Sequence, residues 1–114
     1  MKFYCDGSGW NGRESKWCVV HDGKTNIERY DYERTNNEME YAAVLWALNK
    51  AVCGDIILTD SQLVVNQVAG KWRCKEPRLK GYCDTVWEKV QDKVVELVWI
   101  PREENLAGKV LEKA

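Results

Sequence analysis

Hydrophobic and polar positions alternate along the first third of the chain and then change period. Lys2 to Gly9 (KFYCDGSG) is a short strand-like run with one carboxylate, Asp6, among apolar neighbours. Glu14 to Val20 reads as a second strand, Asp22-Gly23 is a hairpin signal, and Ile27 to Glu33 alternates as a half-exposed third strand should. These three form an antiparallel meander. Thr35-Asn36-Asn37-Glu38 has the form of a capping box, so a helix starts there and runs to about Ala51. Its middle, YAAVLWAL, is apolar on nearly every side, which marks a helix buried between a sheet and other helices. After Gly54, Asp55 to Thr59 is a short buried strand that ends on Asp60 and leads into a helix over Ser61 to Trp72. A Pro-containing connection, Lys71 to Lys80, precedes a helix over Leu79 to Asp92, a last strand over Val94 to Ile100, and a short helix capped by Asn105. Strand, buried helix, strand implies right-handed crossovers, so the later strands run parallel to the first.

Composition narrows this picture. The chain of 114 residues has room for one domain, spanning 1–114, with a modest core. A formal charge of −1 means that any phosphate-binding surface must concentrate its positive charge locally, because the overall field attracts no polyanion. Five cysteines, odd in number and never spaced C-x-x-C, fit reduced thiols in a cytosolic protein better than a disulfide framework or a zinc site. Cys5 and Cys53 sit in apolar runs and are expected to pack in the core. The apolar runs are too short for a membrane span and the start lacks a signal-peptide plan, so a soluble, cytoplasmic protein without a membrane partner is expected.

Three carboxylates stand out by position. Asp6, among apolar residues, is costly to bury without a partner, and the Gly-Ser-Gly that follows lets another element approach closely. Glu40 lies in the first turns of the buried helix, where the helix dipole alone would also favour an acid. Asp60 ends a parallel strand, where ligands collect in such sheets, although an Asp there also serves as a helix N-cap. The lone His21 beside the hairpin turn reads as a surface residue. Lys71 to Lys80 carries five basic residues and Trp72; it is either a solvated loop or, beside a carboxylate cluster, a place for phosphates and a sugar or base.

Taken in order, D-G-S at Asp6 to Ser8, T-N-N-x-M-E at Thr35 to Glu40 and T-D-S-Q at Thr59 to Gln62 resemble the type 1 ribonuclease H family, over essentially the whole chain. The resemblance implies an α/β, ribonuclease H-like fold: a five-stranded mixed sheet in the order 3-2-1-4-5 with helices on both faces. It implies a metal-dependent endonuclease that hydrolyses the RNA strand of RNA/DNA hybrids. Asp6, Glu40 and Asp60 match the first three of four acidic residues that are both catalytic and metal ligands, with Mg²⁺, or Mn²⁺ as a substitute, as the cofactor. Two such cations about 4 Å apart need several hard oxygen ligands. Asn37 and Gln62 match residues that touch the hybrid's minor groove; Asn36 and Thr35 join them, Thr35 through a DNA-strand phosphate. Lys71, Trp72, Arg73 and Lys75 complete the expected substrate-binding set. The partner is the RNA/DNA hybrid, with no obligate protein partner evident.

The chain departs from the family in two places. The C-terminal helix of the family usually reads N-x-x-A-D, and Asn105 to Lys109 match it with Lys109 in place of the fourth acid. An ammonium there would repel metal by about 4 kcal/mol per unit-charge contact at close range and intermediate dielectric. Glu112, one turn further on, is either a displaced carboxylate or an ordinary solvated residue. The basic protrusion of longer relatives is absent, and Trp99 to Arg102 contains no histidine, leaving Arg102 to take that part. Two alternatives therefore stand beside the enzyme: a catalytically weakened ribonuclease H-like nucleic-acid-binding module, and a relative of the ribonuclease H part of reverse transcriptases or mobile-element proteins.

Overall fold

Both residues of the Asp22-Gly23 turn have positive φ, 50° and 70°, the conformation of a type I′ hairpin. Because that turn is so tight, pairing begins at once, His21 with Lys24. The computed structural model, which describes residues 1–114, accordingly has β1 at Lys2–Ser8, β2 at Ser15–His21 and β3 at Lys24–Tyr30. The third strand thus lies about three residues earlier than its alternation suggests, and Asp31 and Tyr32 have left the sheet. β4 (Ile56–Thr59) and β5 (Glu96–Trp99) pair in parallel, and the sheet order is β3-β2-β1-β4-β5. This is the expected mixed α/β sheet.

The capping box is complete: Thr35 Oγ1 accepts from the Glu38 amide and Glu38 Oε1 from the Thr35 amide, opening α1 (Asn36–Lys50). α2 (Gln62–Val68) is shorter than the pattern implies and ends before Gly70, whose φ is 78°. α3 (Pro77–Lys93) begins two residues earlier, because proline suits the first helical turn. A 3₁₀ turn at Arg102–Glu104, invisible in the periodicity, precedes α4 (Leu106–Lys113).

Alternation along the strands sorts the core into two layers. Phe3, Cys5, Trp17, Val19 and Ile57 face α1, α2 and α3, burying Met39, Val44, Leu48, Val64, Leu79 and Val86 among them. Each such apolar side chain contributes about 1.5–3 kcal/mol. On the opposite face Cys18, with Tyr4, Val20 and Ile27, packs on Ala107 and Leu111 of α4. All five cysteines are free, but Cys53 is exposed in the turn after α1 instead of packed in the core. No helix is long and apolar enough to cross a membrane.

Candidate active site

Parallel pairing matches Cys5 with Thr59, so the next residue on each strand, Asp6 and Asp60, are cross-strand neighbours where β4 ends. Glu40 reaches them from the second turn of α1, accepting a hydrogen bond from the Gly7 amide at 2.7 Å. The close approach requires glycine: a Cβ on Gly7 would overlap the backbone of Met39 and Glu40. Asp6, Glu40 and Asp60 each offer a carboxylate oxygen within 4.8 Å of the others. Asp60 is not a helix cap. Ser61 takes that role, its hydroxyl accepting from the Val64 amide, which leaves the Asp60 carboxylate free to face Asp6.

Two groups from the C-terminal segment hold Asp60. Asn105 is fully buried and its Nδ2 donates both to Asp60 Oδ2 at 3.0 Å and to the Cys5 carbonyl at 2.8 Å, while its Oδ1 caps α4 through the Ala107 amide. The Arg102 guanidinium stands 3.9 Å from Asp60 Oδ2 and 3.9 Å from Glu112 Oε1. Trp99 Nε1 donates to the Asp60 carbonyl. Asn105 was legible in the sequence as a cap and as the first residue of the N-x-x-A-D match, not as a partner of Asp60.

Crowding sets the electrostatics. Burial, then the neighbouring Asp6 and Asp60 charges, holds the Glu40 carboxyl well above the usual carboxylate range. Burial and Asp60 raise Asp6 in the same direction. Asp6 is 2% exposed, and its Oδ1 is buried without a hydrogen-bond partner. A buried carboxylate oxygen with no donor, beside two more carboxylates, is an arrangement that a cation resolves.

A cleft of about 310 Å³ opens over this cluster, lined by Asp6, Ser8, Asn36, Glu40, Arg102 and Glu112 among others. Asn36 Oδ1 accepts from the Gly9 amide and so fixes the cleft's wall to β1. A second cleft of about 560 Å³ lies on the other side of the α1 N-terminus, where Thr35 and Asn37 meet Arg73, Lys75 and Arg78. Arg78, which the sequence pattern did not single out, is 3.7 Å from buried Glu38. Gln62 is exposed in the first turn of α2, and Lys71 and Trp72 are exposed at the start of the connection; none of the three lines either cleft.

Comparison with known proteins decides what this arrangement belongs to. The family model for RNase H matches residues 1–107. The chain is a member of the ribonuclease H family. It is 36% identical over 92 residues to the bifunctional protein Rv2228c of Mycobacterium tuberculosis; the match covers 76% of this chain and 24% of that protein. The chain thus spans about a quarter of the length of the curated relatives it matches. The N-terminal RNase H domain of Rv2228c, solved as a fusion with maltose-binding protein, superposes with TM-score 0.76 at 22% identity, over 98% of this chain and 93% of that one. LC11-RNase H1, solved in complex with an RNA/DNA hybrid, gives TM-score 0.72 at 27% identity, over 99% and 94%.

The C-terminal helix of this ribonuclease H family member differs from expectation. Lys109 is exposed, and the residue that faces the carboxylates is Gly108, whose Cβ position lies 3.5 Å from Asp6 Oδ2 and 3.7 Å from Asp60 Oδ2. The cause is helical register: one residue along α4 turns the side chain by about 100°. The placement of Lys109 at the fourth acidic position is therefore corrected; the facing residue has no side chain at all. Glu112 does line the acidic cleft, one turn beyond, but pairs with Arg102. The donors that remain are all hard oxygens, the chemistry that suits Mg²⁺ or Mn²⁺.

Proposed function

We propose that the chain is a metal-dependent endonuclease that hydrolyses the RNA strand of RNA/DNA hybrids. The observation that carries this reading is the trio Asp6, Glu40 and Asp60, with oxygens within 4.8 Å and a partnerless buried Asp6 Oδ1, at the strand ends of a ribonuclease H fold. These three residues would hold the divalent metal, Mg²⁺ or Mn²⁺. When bound, it activates water and stabilises the leaving 3′ oxygen. Asn105 orients Asp60, the Gly7 amide orients Glu40, and Asn36 with Asn37 at the start of α1 meet the groove in which a 2′-hydroxyl tells RNA from DNA. Thr35, Arg73 and Lys75, joined by Arg78, gather in the second cleft, suited to the phosphates of the DNA strand. Gln62, Lys71 and Trp72 are exposed outside that cleft and meet the hybrid there. A two-ion arrangement, which the family resemblance implies, would need Glu112 to leave Arg102 and turn toward Asp6, because α4 presents glycine at the facing position.

The test is cleavage of a labelled RNA/DNA hybrid in Mg²⁺ and in Mn²⁺, with Asp60→Asn as the control for contaminating nuclease. Cleavage of the RNA strand with DNA duplex spared is expected. Equal cleavage of DNA duplex, or no cleavage in either metal, sinks the proposal. Gly108 favours one competing reading, a hybrid-binding module with weakened catalysis. Tight hybrid binding with no turnover at any metal concentration would establish it.

A further inference from the structure

We infer that Arg102 supplies the positive charge that a second divalent cation would bring, so that this chain uses one metal ion and one guanidinium at its carboxylates. The inference rests on the nuclease reading above and departs from the two-ion form of it. Three observations meet here. First, the residue of α4 that faces Asp6 and Asp60 is Gly108, with its Cβ position 3.5 and 3.7 Å from the two carboxylates, and the helix's one carboxylate, Glu112, lines the cleft a turn further on and pairs with Arg102. Second, Arg102 occupies the mouth of that same cleft. Its Nη1 is 3.9 Å from Asp60 Oδ2, its Nε is 3.9 Å from Glu112 Oε1, and it shares the cleft lining with Asp6 and Glu40. Third, its backbone is fixed, since the Arg102 carbonyl accepts from the amide of Asn105 at 3.1 Å and Asn105 is itself tied to Cys5 and Asp60.

A guanidinium is always protonated, and its planar fork binds phosphate oxygens two at a time. The Arg102 side chain is 61% exposed, so a phosphate in the cleft can meet it without rearrangement of the core. Its task is to hold negative charge on the phosphate, and it has no means to lower the pKa of water. That task stays with the carboxylate-bound ion.

The experiment counts Mn²⁺ bound at saturation by electron paramagnetic resonance of the free ion, and follows hybrid cleavage against Mn²⁺ concentration. It uses wild type, Arg102→Ala, Arg102→Lys, Gly108→Asp and the double variant Gly108→Asp/Arg102→Ala. One Mn²⁺ per chain is expected for wild type and two for the double variant. Arg102→Ala should still bind one ion and lose cleavage about a hundredfold at saturating Mn²⁺, the scale for removing a charge-stabilising donor, with Arg102→Lys recovering only the part that charge without the planar fork supplies. A merely structural Arg102 would not change the ion count of the Gly108→Asp protein. Two ions bound by wild type, or full cleavage by Arg102→Ala, overturns the inference. If no protein in the set cleaves the hybrid, the nuclease reading fails, and the ion count alone still decides whether Arg102 stands in for a cation.

Discussion

Asn105 joins three segments with one amide, and its sequence neighbourhood reveals one of the three. Capping of α4 is local and legible; the bonds to Cys5, 100 residues away, and to Asp60 are not. Asn105→Ala removes the cap and leaves the buried Cys5 carbonyl without this donor, a loss of about 1–3 kcal/mol that urea denaturation will read. Asn105→Asp keeps the cap yet adds a fourth charge beside Asp60, so it should impair cleavage more than its stability loss explains. The carboxylates themselves were legible from three short motifs. Gly108 was not, because a spacing counted from Asn105 cannot tell which residue of a helix turns inward, and Lys109 is one position away. Lys109→Asp is accordingly expected to leave metal affinity within about twofold of wild type, whereas Gly108→Asp raises it. The raised carboxyls also give the metal-free protein a pH dependence. Unfolded Asp and Glu ionise near pH 4. Folded Asp6 and Glu40 hold their protons to higher pH, because burial and mutual repulsion disfavour their charged forms. Between those limits the folded state binds more protons than the unfolded one, so stability falls as pH rises from about 4 through neutrality. Melting in EDTA should therefore occur at a lower temperature at pH 8 than at pH 5, and Glu40→Gln should flatten the difference. A wild-type melting temperature independent of pH would show that the three groups do not crowd one another.

Apart from the 3₁₀ turn at Arg102–Glu104, elements were read correctly in kind and order, and missed at their ends, for reasons that differ from end to end. The third strand moved because a two-residue turn forces immediate pairing; α3 gained Pro77 and Arg78 because proline opens helices as readily as it breaks them. β5 excludes Val94, which ends α3 with φ 54°, an uncommon conformation for a β-branched residue that no apolar run can announce. Those shifts matter for function at one point: with α3 starting at Pro77, the basic connection shortens and folds Arg73, Lys75 and Arg78 onto the start of α1. Salt dependence tests whether the hybrid uses that cleft. Removing one cation that pairs with a phosphate should flatten the log-log slope of affinity against salt by about 0.9. Lys71→Ala, exposed outside the cleft, should change the slope less than Arg73→Ala or Lys75→Ala, and slopes unchanged from wild type for all three would reduce the connection to solvated surface. Element packing makes the other demand. Because the first turns of α1 press on β1 at Gly7, Gly7→Ala should push Glu40 away from Asp6 and cost several kcal/mol, at the upper end of overpacking penalties of about 1–3 kcal/mol or beyond.

At the scale of the molecule, a formal charge of −1 conceals two opposed fields on either side of one helix terminus. Asp6, Glu40 and Asp60 lie on one side of the start of α1; Arg73, Lys75 and Arg78 lie on the other. With so little net charge, long-range steering of a polyanion is weak, so on the proposed function affinity would come from the close contacts of the basic cleft against repulsion by the acidic one. The two clefts should therefore act on hybrid affinity with opposite sign. In EDTA, Asp60→Asn removes one negative charge from the acidic cleft, so, on the proposed function, the variant should bind a hybrid more tightly than wild type while cleaving nothing when metal is restored. Replacing Arg73 and Lys75 together by alanine should weaken binding in EDTA and in Mn²⁺ alike. Divalent metal should tighten wild type and leave the Asp60→Asn affinity much less changed, because in wild type it neutralises the repulsion that the substitution has already reduced. Fluorescence anisotropy of a labelled hybrid, with and without metal, measures all three proteins. If Asp60→Asn binds no better than wild type in EDTA, the hybrid's backbone does not pass over the carboxylates, and the acidic cluster is not where this chain meets its substrate.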